Sequence, residues 1–394
     1  MRRLKDLKNL TDNLKDNLKD LKPDFSMIWN TVVHDGDIEV TIYPSCGSLH
    51  DNNWHIPLRG WVHQNRRLPD RPISELAELL IGCADAENAN FSFRFDAFSD
   101  DSRKGQTVSI QFDNDNEHYA FPTSDLNGLI ETTISLPAAK ADALLTQQNS
   151  QDHWLTFNVM SEGHRGKGRV ALIGPRGLSL VSDIDDTIKV TAVPGDKDVV
   201  LKNTFCHDFV AVSGMSEKYR SLSDHAFHYV SGGPWQLYPP LTEFLSAQGF
   251  PPGTFHFNYF PKNFLAEDTR SLLLDSICGS LGRTYAHKVE VITQLMLRYP
   301  EREFILVGDS GELDVEVYRR IRELVGSRVR EIWIRDVVND QEVNSFRFAG
   351  VDTIIKPETI VCPTADHYEK MAVIIQREHQ VPYVKNTRPP CGAG

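Results

Sequence analysis

The chain has 394 residues, and 42 Lys and Arg against 54 Asp and Glu leave it a formal charge of −12 at pH 7. At 40% hydrophobic and 24% charged residues it is a globular protein long enough for two domains, and too acidic to be a basic nucleic-acid coat protein. No apolar run approaches the roughly eighteen residues of a membrane span, and the start lacks an apolar signal core, so a soluble, cytoplasmic protein that does not bind nucleic acid is expected.

Residues 1–27 form a segment of their own. Leu4, Leu7, Leu10, Leu14, Leu18 and Leu21 recur at helical spacing until Pro23. Seven basic residues against four acidic ones give residues 1–22 a charge of +3, while the rest of the chain carries −15. Such an amphipathic helix suits a membrane interface. Leu7, Leu14 and Leu21 also fit a short coiled coil, hence a protein partner or self-association, and docking on the chain's own domain is the third reading.

Residues 28–174 change to short alternating runs, Ile38–Tyr43, Phe91–Phe95 and Thr107–Phe112 among them, separated by Gly, Asn, Asp and Pro clusters. Period two with turn punctuation predicts an antiparallel, β-sandwich-like domain with an inserted helix at 72–80. The β-domain is a second candidate surface for a partner. Gly163–Arg169 lacks the Lys-Ser/Thr ending of a phosphate loop and reads as a hairpin tip.

Residues 175–378 alternate strands and helices. Strands are expected at 178–182, 254–259, 304–308 and 329–334, and helices at 240–248, 287–299 and 314–324. This is α/β patterning, a doubly wound parallel sheet whose chemistry belongs at the carboxyl ends of its strands. Residues 379–394 form a Pro-rich, irregular tail. The six cysteines, Cys46, Cys83, Cys206, Cys278, Cys362 and Cys391, stand far apart with no CxxC pair. They read as free thiols, with Cys206, Cys278 and Cys362 filling the core.

The first strand of this region ends in Asp183-Ile-Asp185-Asp186-Thr187, a carboxylate cluster that is unfavourable without a cation. A calcium EF-hand loop is excluded, because Ile188 and Pro194 stand where Gly and an acid are required. Phe227–Val230 runs into Ser231-Gly-Gly-Pro234, a hydroxyl in a tight turn. Lys288 heads a predicted helix, and Phe304–Gly308 delivers Asp309 and, five residues on, Asp314. Asp186 reads as a capping carboxylate. His225 and His228 lack a third ligand and read as structural, and Trp235 either meets an acyl chain or anchors the turn.

Taken in this order, the motifs resemble the haloacid dehalogenase superfamily of aspartate-nucleophile phosphatases, whose pattern is Asp-x-Asp-x-Thr, a Ser or Thr, a Lys, then Gly-Asp-x-x-x-x-Asp. The stretches Val181–Thr191, Leu201–Phe205, Tyr229–Trp235, Ala286–Lys288, Phe304–Gly311 and Ile334–Asp336 are similar to the catalytic domain of the actin-patch-associated phosphatidate phosphatases of fungi and bacteria. The likeness is strong over about 178–340 and looser before it. It departs at Val212-Ser-Gly-Met-Ser216, where a Pro-Gly-Met version is the family form. The resemblance implies a Mg2+-dependent hydrolysis of phosphatidic acid by a protein peripheral to the membrane that carries its phospholipid substrate. In it Asp183 is the nucleophile, Asp185 the general acid and base, and Ser231 and Lys288 hold the phosphoryl oxygens. Thr187 braces the loop. Asp183, the backbone carbonyl of Asp185 and Asp309 take the metal, with Asp314 acting through a water or orienting Asp309. The alternatives are a phosphatase of soluble phosphomonoesters or phosphoproteins, and an inert adaptor.

Overall fold

Alternation of apolar and polar residues builds the N-terminal sheet. In the strand at 129–137, Ile130, Ile134 and Leu136 point into the core while Glu131 faces out. The fold is known from a computed structural model that describes residues 33–67, 77–78, 81–83, 88–222, 224–258, 274, 277 and 281–384. The expected N-terminal helix, most of the expected helix at 72–80, Cys278, and the tail after residue 384 with Cys391 lie outside the described residues.

The N-terminal strands are Val33–Ile42 (β1), Ser45–His50 (β2), Asn53–Arg67 (β3), Asp101–Ser102 (β4), Ser109–Phe112 (β5), Tyr119–Ala120 (β6), Leu129–Pro137 (β7), Trp154–Val159 (β8), His164–Arg165 (β9) and Lys167–Ile173 (β10). Helices Asn88–Ser99 (α1) and Ala138–Gln147 (α2) interrupt them. A sandwich would divide these strands between two sheets, but all ten join one. The reason is β3, whose 15 residues hydrogen-bond to β1, β2, β4 and β7 and bridge what would otherwise be separate layers. The pairing is mostly antiparallel, with parallel contacts of β1 with β9 and of β2 with β10.

After Pro175 the pattern is α/β. The elements are Arg176–Ser182 (β11), Lys197–Phe205 (α3), Met215–Arg220 (α4), Ala226–Pro234 (β12), Tyr238–Ala247 (α5), Thr254–Asn258 (β13), Leu281–Arg298 (α6), Glu301–Asp309 (β14), Asp314–Val325 (α7), Val329–Arg335 (β15), Thr353–Ile355 (β16) and Ala365–His379 (α8). The six strands form a wholly parallel sheet in the order β13-β12-β11-β14-β15-β16. Both of its faces are covered. Leu180, Ile305 and Trp333 pack with residues of α3, α4 and α5, whereas their chain neighbours Val181, Leu306 and Ile332 pack with α6 and α7. Burial on both faces explains why β14 carries the continuous apolar run Phe304–Val307. The chain order reverses between β11 and β14, which opens a crevice at their carboxyl ends.

Phe91–Phe95 is helix, not the expected strand. Phe91, Phe95 and Phe98 are four and three residues apart, so in α1 they share one face, and all three rings lie 5.5–6.5 Å from Phe205 at the end of α3. Tertiary packing thus overrides the local alternation. The free-thiol reading is corrected at the same place, because Cys83 and Cys206 form a disulfide with Cα atoms 5.9 Å apart. Cys46 is buried, and Cys362 is exposed rather than core filling. The disulfide closes a span of 123 residues. Reduction should therefore lower stability by up to about 4 kcal/mol. Thermal melts with and without a phosphine reductant check this: Cys83→Ser should melt low in both conditions, and an intact chain indifferent to reductant would overturn it.

Candidate active site

Adjacent strands β11 and β14 end side by side, and the residues that follow them form the site. The Asp183 N–H donates to the Val307 carbonyl at 2.9 Å, which continues the ladder one residue past β11 and sets Asp183 beside the end of β14. Asp309 closes β14 and Asp314 opens α7. Only glycine fits at 308, just before Asp309, because a Cβ there would stand 2.3 Å from Asp314 Oδ2. Lys288 comes from α6, two turns after Leu281 and not at a helix head as expected. Its Nζ lies 2.8 Å from Asp183 Oδ1 and 2.5 Å from Asp314 Oδ1, with Glu312 Oε2 at 3.8 Å. Thr187 Oγ1 donates to the other oxygen of Asp183 at 3.1 Å.

Three buried carboxylates, Asp183, Glu312 and Asp314, thus surround one ammonium, and a fourth, Asp309, lies beside Asp183 and Glu312. Burial raises the Asp183 carboxyl well above the usual range, opposed by Lys288 and reinforced by Asp314. Burial, with Asp314 and Asp183 adding to it, does the same to Asp309, and Glu312 is pushed up to about 7 by burial against the pull of Lys288. Lys288 is held protonated, because these anions outweigh its loss of solvent. The cluster needs more positive charge than one lysine supplies.

A metal ion would supply it. Asp183, Asp309 and Glu312 offer oxygens that all lie within 4.8 Å of one another. Asp309 Oδ1 accepts from the Gly311 and Glu312 N–H groups at 2.6 and 3.2 Å, while its Oδ2 is buried and has no hydrogen-bond partner among the described residues. An orphaned carboxylate oxygen inside a three-acid cluster fits a hard cation. Glu312 was not a sequence candidate; it sits inside the Gly-Asp-x-x-x-x-Asp pattern at a position the pattern leaves open.

The remaining candidates lie around this group. Asp185 and Asp314 stand outside the three-acid cluster: Asp314 is taken by Lys288, and Asp185 Oδ1 binds Lys189 Nζ at 2.8 Å and accepts from Thr191 Oγ1 at 2.6 Å. Although burial works to raise it, Lys189 and Thr191 hold the Asp185 carboxyl below the usual range. The Asp185 side chain is 20% exposed against 2% for Asp183, so it is the more open of the pair. Asp186 caps the next loop by accepting from the backbone N–H groups of Thr191, Ala192 and Val193 at 2.6–2.9 Å. Ser231 is not in a tight turn, because β12 runs on to Pro234 with an irregularity after Ser231, whose Oγ accepts from the Gly233 N–H at 2.9 Å. Trp235 is buried and stacks with Tyr43 and Trp61 at ring distances of 5.8 and 5.9 Å, anchoring β12 to the N-terminal sheet. His225 pairs with Asp224 at 2.6 Å and His228 hydrogen-bonds Thr254 within the sheet, so they form no ligand pair.

Arg347 supports the site from behind, and its position in the short 3-10 helix Ser345–Phe348 gave no signal in the sequence. Its guanidinium is wholly buried and forks onto both oxygens of Glu316 at 2.9 Å. It also donates to the Ser310 and Glu312 carbonyls at 3.0 and 3.1 Å, fixing the loop that carries the acids. Burial works to raise Glu316, but Arg347 and the His379 ring hold its carboxyl down to about 2. The folded value lies below the unfolded one, so the stabilisation is complete above about pH 4.5 and disappears as pH falls towards 2. It is worth roughly 3 kcal/mol. Acid melts should show this loss between pH 4.5 and 2 in the intact chain and a much smaller one in Glu316→Gln; identical acid profiles would remove Glu316 from the account.

A parallel sheet whose neighbouring strands deliver acids around one buried lysine defines an α/β protein with a carboxylate centre suited to a divalent cation. Over residues 178–336 the chain matches the family model described as phosphatidate phosphatase APP1, catalytic domain, and over that stretch it is a member of the family. It is 30% identical over 269 residues to the phosphatidate phosphatase APP1 of Saccharomyces cerevisiae, covering 66% of this chain and 40% of the yeast protein. It is also 30% identical over 210 residues to an uncharacterized protein of Schizosaccharomyces pombe, covering 50% of this chain and 30% of that one. The chain thus spans well under half the length of either relative. A Parabacteroides merdae β-glucuronidase structure aligns with 83% of this chain and 35% of its own at 10% identity, and a TM-score of 0.22 gives that likeness no weight.

Proposed function

We propose that the chain is a Mg2+-dependent phosphatidate phosphatase that releases inorganic phosphate from phosphatidic acid and leaves diacylglycerol. The observation that carries the chemistry is Lys288 bridging Asp183 and Asp314 beside the orphaned oxygen of Asp309. The match of residues 178–336 to the family's catalytic domain, with the activity that the yeast relative's name states, supports the lipid substrate. We read residues 175–378 as the catalytic domain and its sheet as doubly wound and haloacid dehalogenase-like, a reading supported by the strand order and by helices on both faces.

Asp183 attacks phosphorus through a carboxylate oxygen, breaking the ester P–O bond and forming an aspartyl-phosphate. Asp185, the more exposed carboxyl, must take up a proton against the hold of Lys189 and Thr191 to protonate the departing alkoxide; it then takes one from the water that cleaves the new P–O bond, restoring Asp183. Lys288 and Ser231 hold the transferring oxygens, and Thr187 keeps the Asp183 carboxylate oriented. Asp183, Asp309 and Glu312 would hold Mg2+, which offsets the charge between nucleophile and phosphate. Among the described residues no helix is long and apolar enough to cross a membrane. Access to lipid is assigned to a peripheral encounter, with residues 1–22 as the candidate contact.

Phosphate release from phosphatidic acid in mixed micelles, with Mg2+ and with a chelator, tests the proposal. Metal-dependent release supports it. Hydrolysis of an aryl phosphate without action on phosphatidic acid would keep the chemistry and replace the lipid by a soluble ester, and silence on both would leave an inert adaptor.

A further inference from the structure

A cavity of about 550 Å³ lies between the N-terminal sheet and the flank of the parallel sheet formed by β13 and α6. None of Asp183, Asp309, Glu312 or Lys288 lines it, so it is separate from the catalytic cluster. Its polar lining is short of partners. The Tyr43 side chain borders the cavity and is only 6% exposed, yet its hydroxyl has no hydrogen-bond partner among the described residues. Ser45 Oγ and His287 Nε2, also in the lining, are likewise buried and unpartnered there. Buried polar atoms of this kind are uncommon unless a ligand or water completes them.

The charge of the cavity selects the ligand. Arg59 and Arg298 both border it. Arg59 is committed to Glu131 at 2.9 Å, the single carboxylate in the lining, whereas Arg298 forms no ion pair with a described carboxylate and reaches only Cys46 Sγ at 3.9 Å. One uncompensated guanidinium with several unpartnered hydroxyl and imidazole groups suits an anion that offers several oxygens. The other walls are apolar, with Leu58, Phe257, Val291 and Leu295 among them. We propose that this cavity is a second binding site, for an organic phosphate whose head meets Arg298, Tyr43 and Ser45 and whose apolar part lies on those walls. Its volume suits a molecule of drug or short-chain lipid size. The site also adjoins the catalytic machinery along the chain, since His287 precedes Lys288 and Trp235, another lining residue, follows Ser231-Gly-Gly-Pro. The assignment does not depend on which reaction the acidic cluster catalyses.

Calorimetric titration of the full chain with octylphosphonate, which has a non-hydrolysable head and an apolar tail, tests it. The expected result is a binding event weakened at least roughly tenfold by Arg298→Gln and by Tyr43→Phe, and kept by Ser231→Ala, which alters the proposed phosphoryl pocket instead. Tyr43→Phe keeps the ring and its stacking on Trp235, so matched melts of that variant separate lost binding from lost folding. No binding by the intact chain, isotherms unchanged in both cavity variants, or binding abolished by Ser231→Ala alone would overturn the site. Co-sedimentation with phosphatidylglycerol vesicles that weakens in Arg298→Gln identifies a bilayer headgroup as the source. Octylphosphonate binding with no vesicle binding identifies a soluble phosphate.

Discussion

Asp183→Asn and Lys288→Met should both abolish turnover, by about a thousandfold or more, but only the lysine variant should melt much lower. An amide at 183 cannot attack phosphorus, yet it removes a buried charge that is repelled by Asp314, Glu312 and Asp185. Lys288 keeps Asp314 at 2.5 Å. Asp183→Asn should therefore hold its melting temperature within the effect of about 1 kcal/mol. Removing the ammonium is different, because Asp183 and Asp314 both lose their partner while staying buried. Breaking a buried ion pair from one side costs roughly 3–5 kcal/mol, a drop on the order of 10 °C. Phosphate release and thermal melts on the same preparations check this. Retention of a tenth of the original rate by Asp183→Asn would dismiss the nucleophile, and equal melts for the two variants would dismiss Lys288 as the keystone of the cluster.

The parts of the site legible in the sequence are those a strand end fixes locally. Asp309 follows the continuous apolar run Phe304–Val307 and Asp183 the largely apolar Leu178–Ser182, and two-sided burial in a parallel sheet makes such runs plain. Asp314 and Lys288 were legible only through the order of the motifs, which resembles the phosphatase pattern; the helix head expected at Lys288 lies two turns earlier. Glu312 was not, since its part depends on how the loop between β14 and α7 folds back, and that fold is set by Arg347 from far along the chain. Period-two alternation at Phe91–Phe95 failed for the same kind of reason: the phenylalanines serve a helix whose partner, Phe205, belongs to the other sheet's cover. The disulfide also joins residues distant in sequence, so spacing alone carried no trace of it. The strands of the N-terminal sheet were visible one by one, but not their union through β3, because pairing is a property of the whole sheet.

Between pH 5 and 8 the metal-free chain should lose stability as pH rises, and Mg2+ should restore it. The folded Glu312 carboxyl titrates near 7, raised by burial against the attraction of Lys288, while an unfolded glutamate titrates near 4.5. The folded state therefore binds the proton more tightly. Its contribution is fully present below pH 4.5 and is lost as pH rises through 7, an effect of roughly 3 kcal/mol. Asp183 and Asp309 are raised by burial as well and add to it with the same sign. This window lies above the acid loss assigned to Glu316, so the two can be separated in one pH series. A divalent cation bound by Asp183, Asp309 and Glu312 would take the place of the protons. Mg2+ should then raise the melting temperature strongly at pH 8 and little at pH 5, where protons compete for the same oxygens. Glu312→Gln removes one titrating group and one ligand together, so it should flatten the metal-free pH profile and shrink the Mg2+ response. A chelated chain whose melting temperature holds steady or climbs from pH 5 to 8 would mean that the acids are not coupled through their burial, and the cluster would lose its reason to bind a cation.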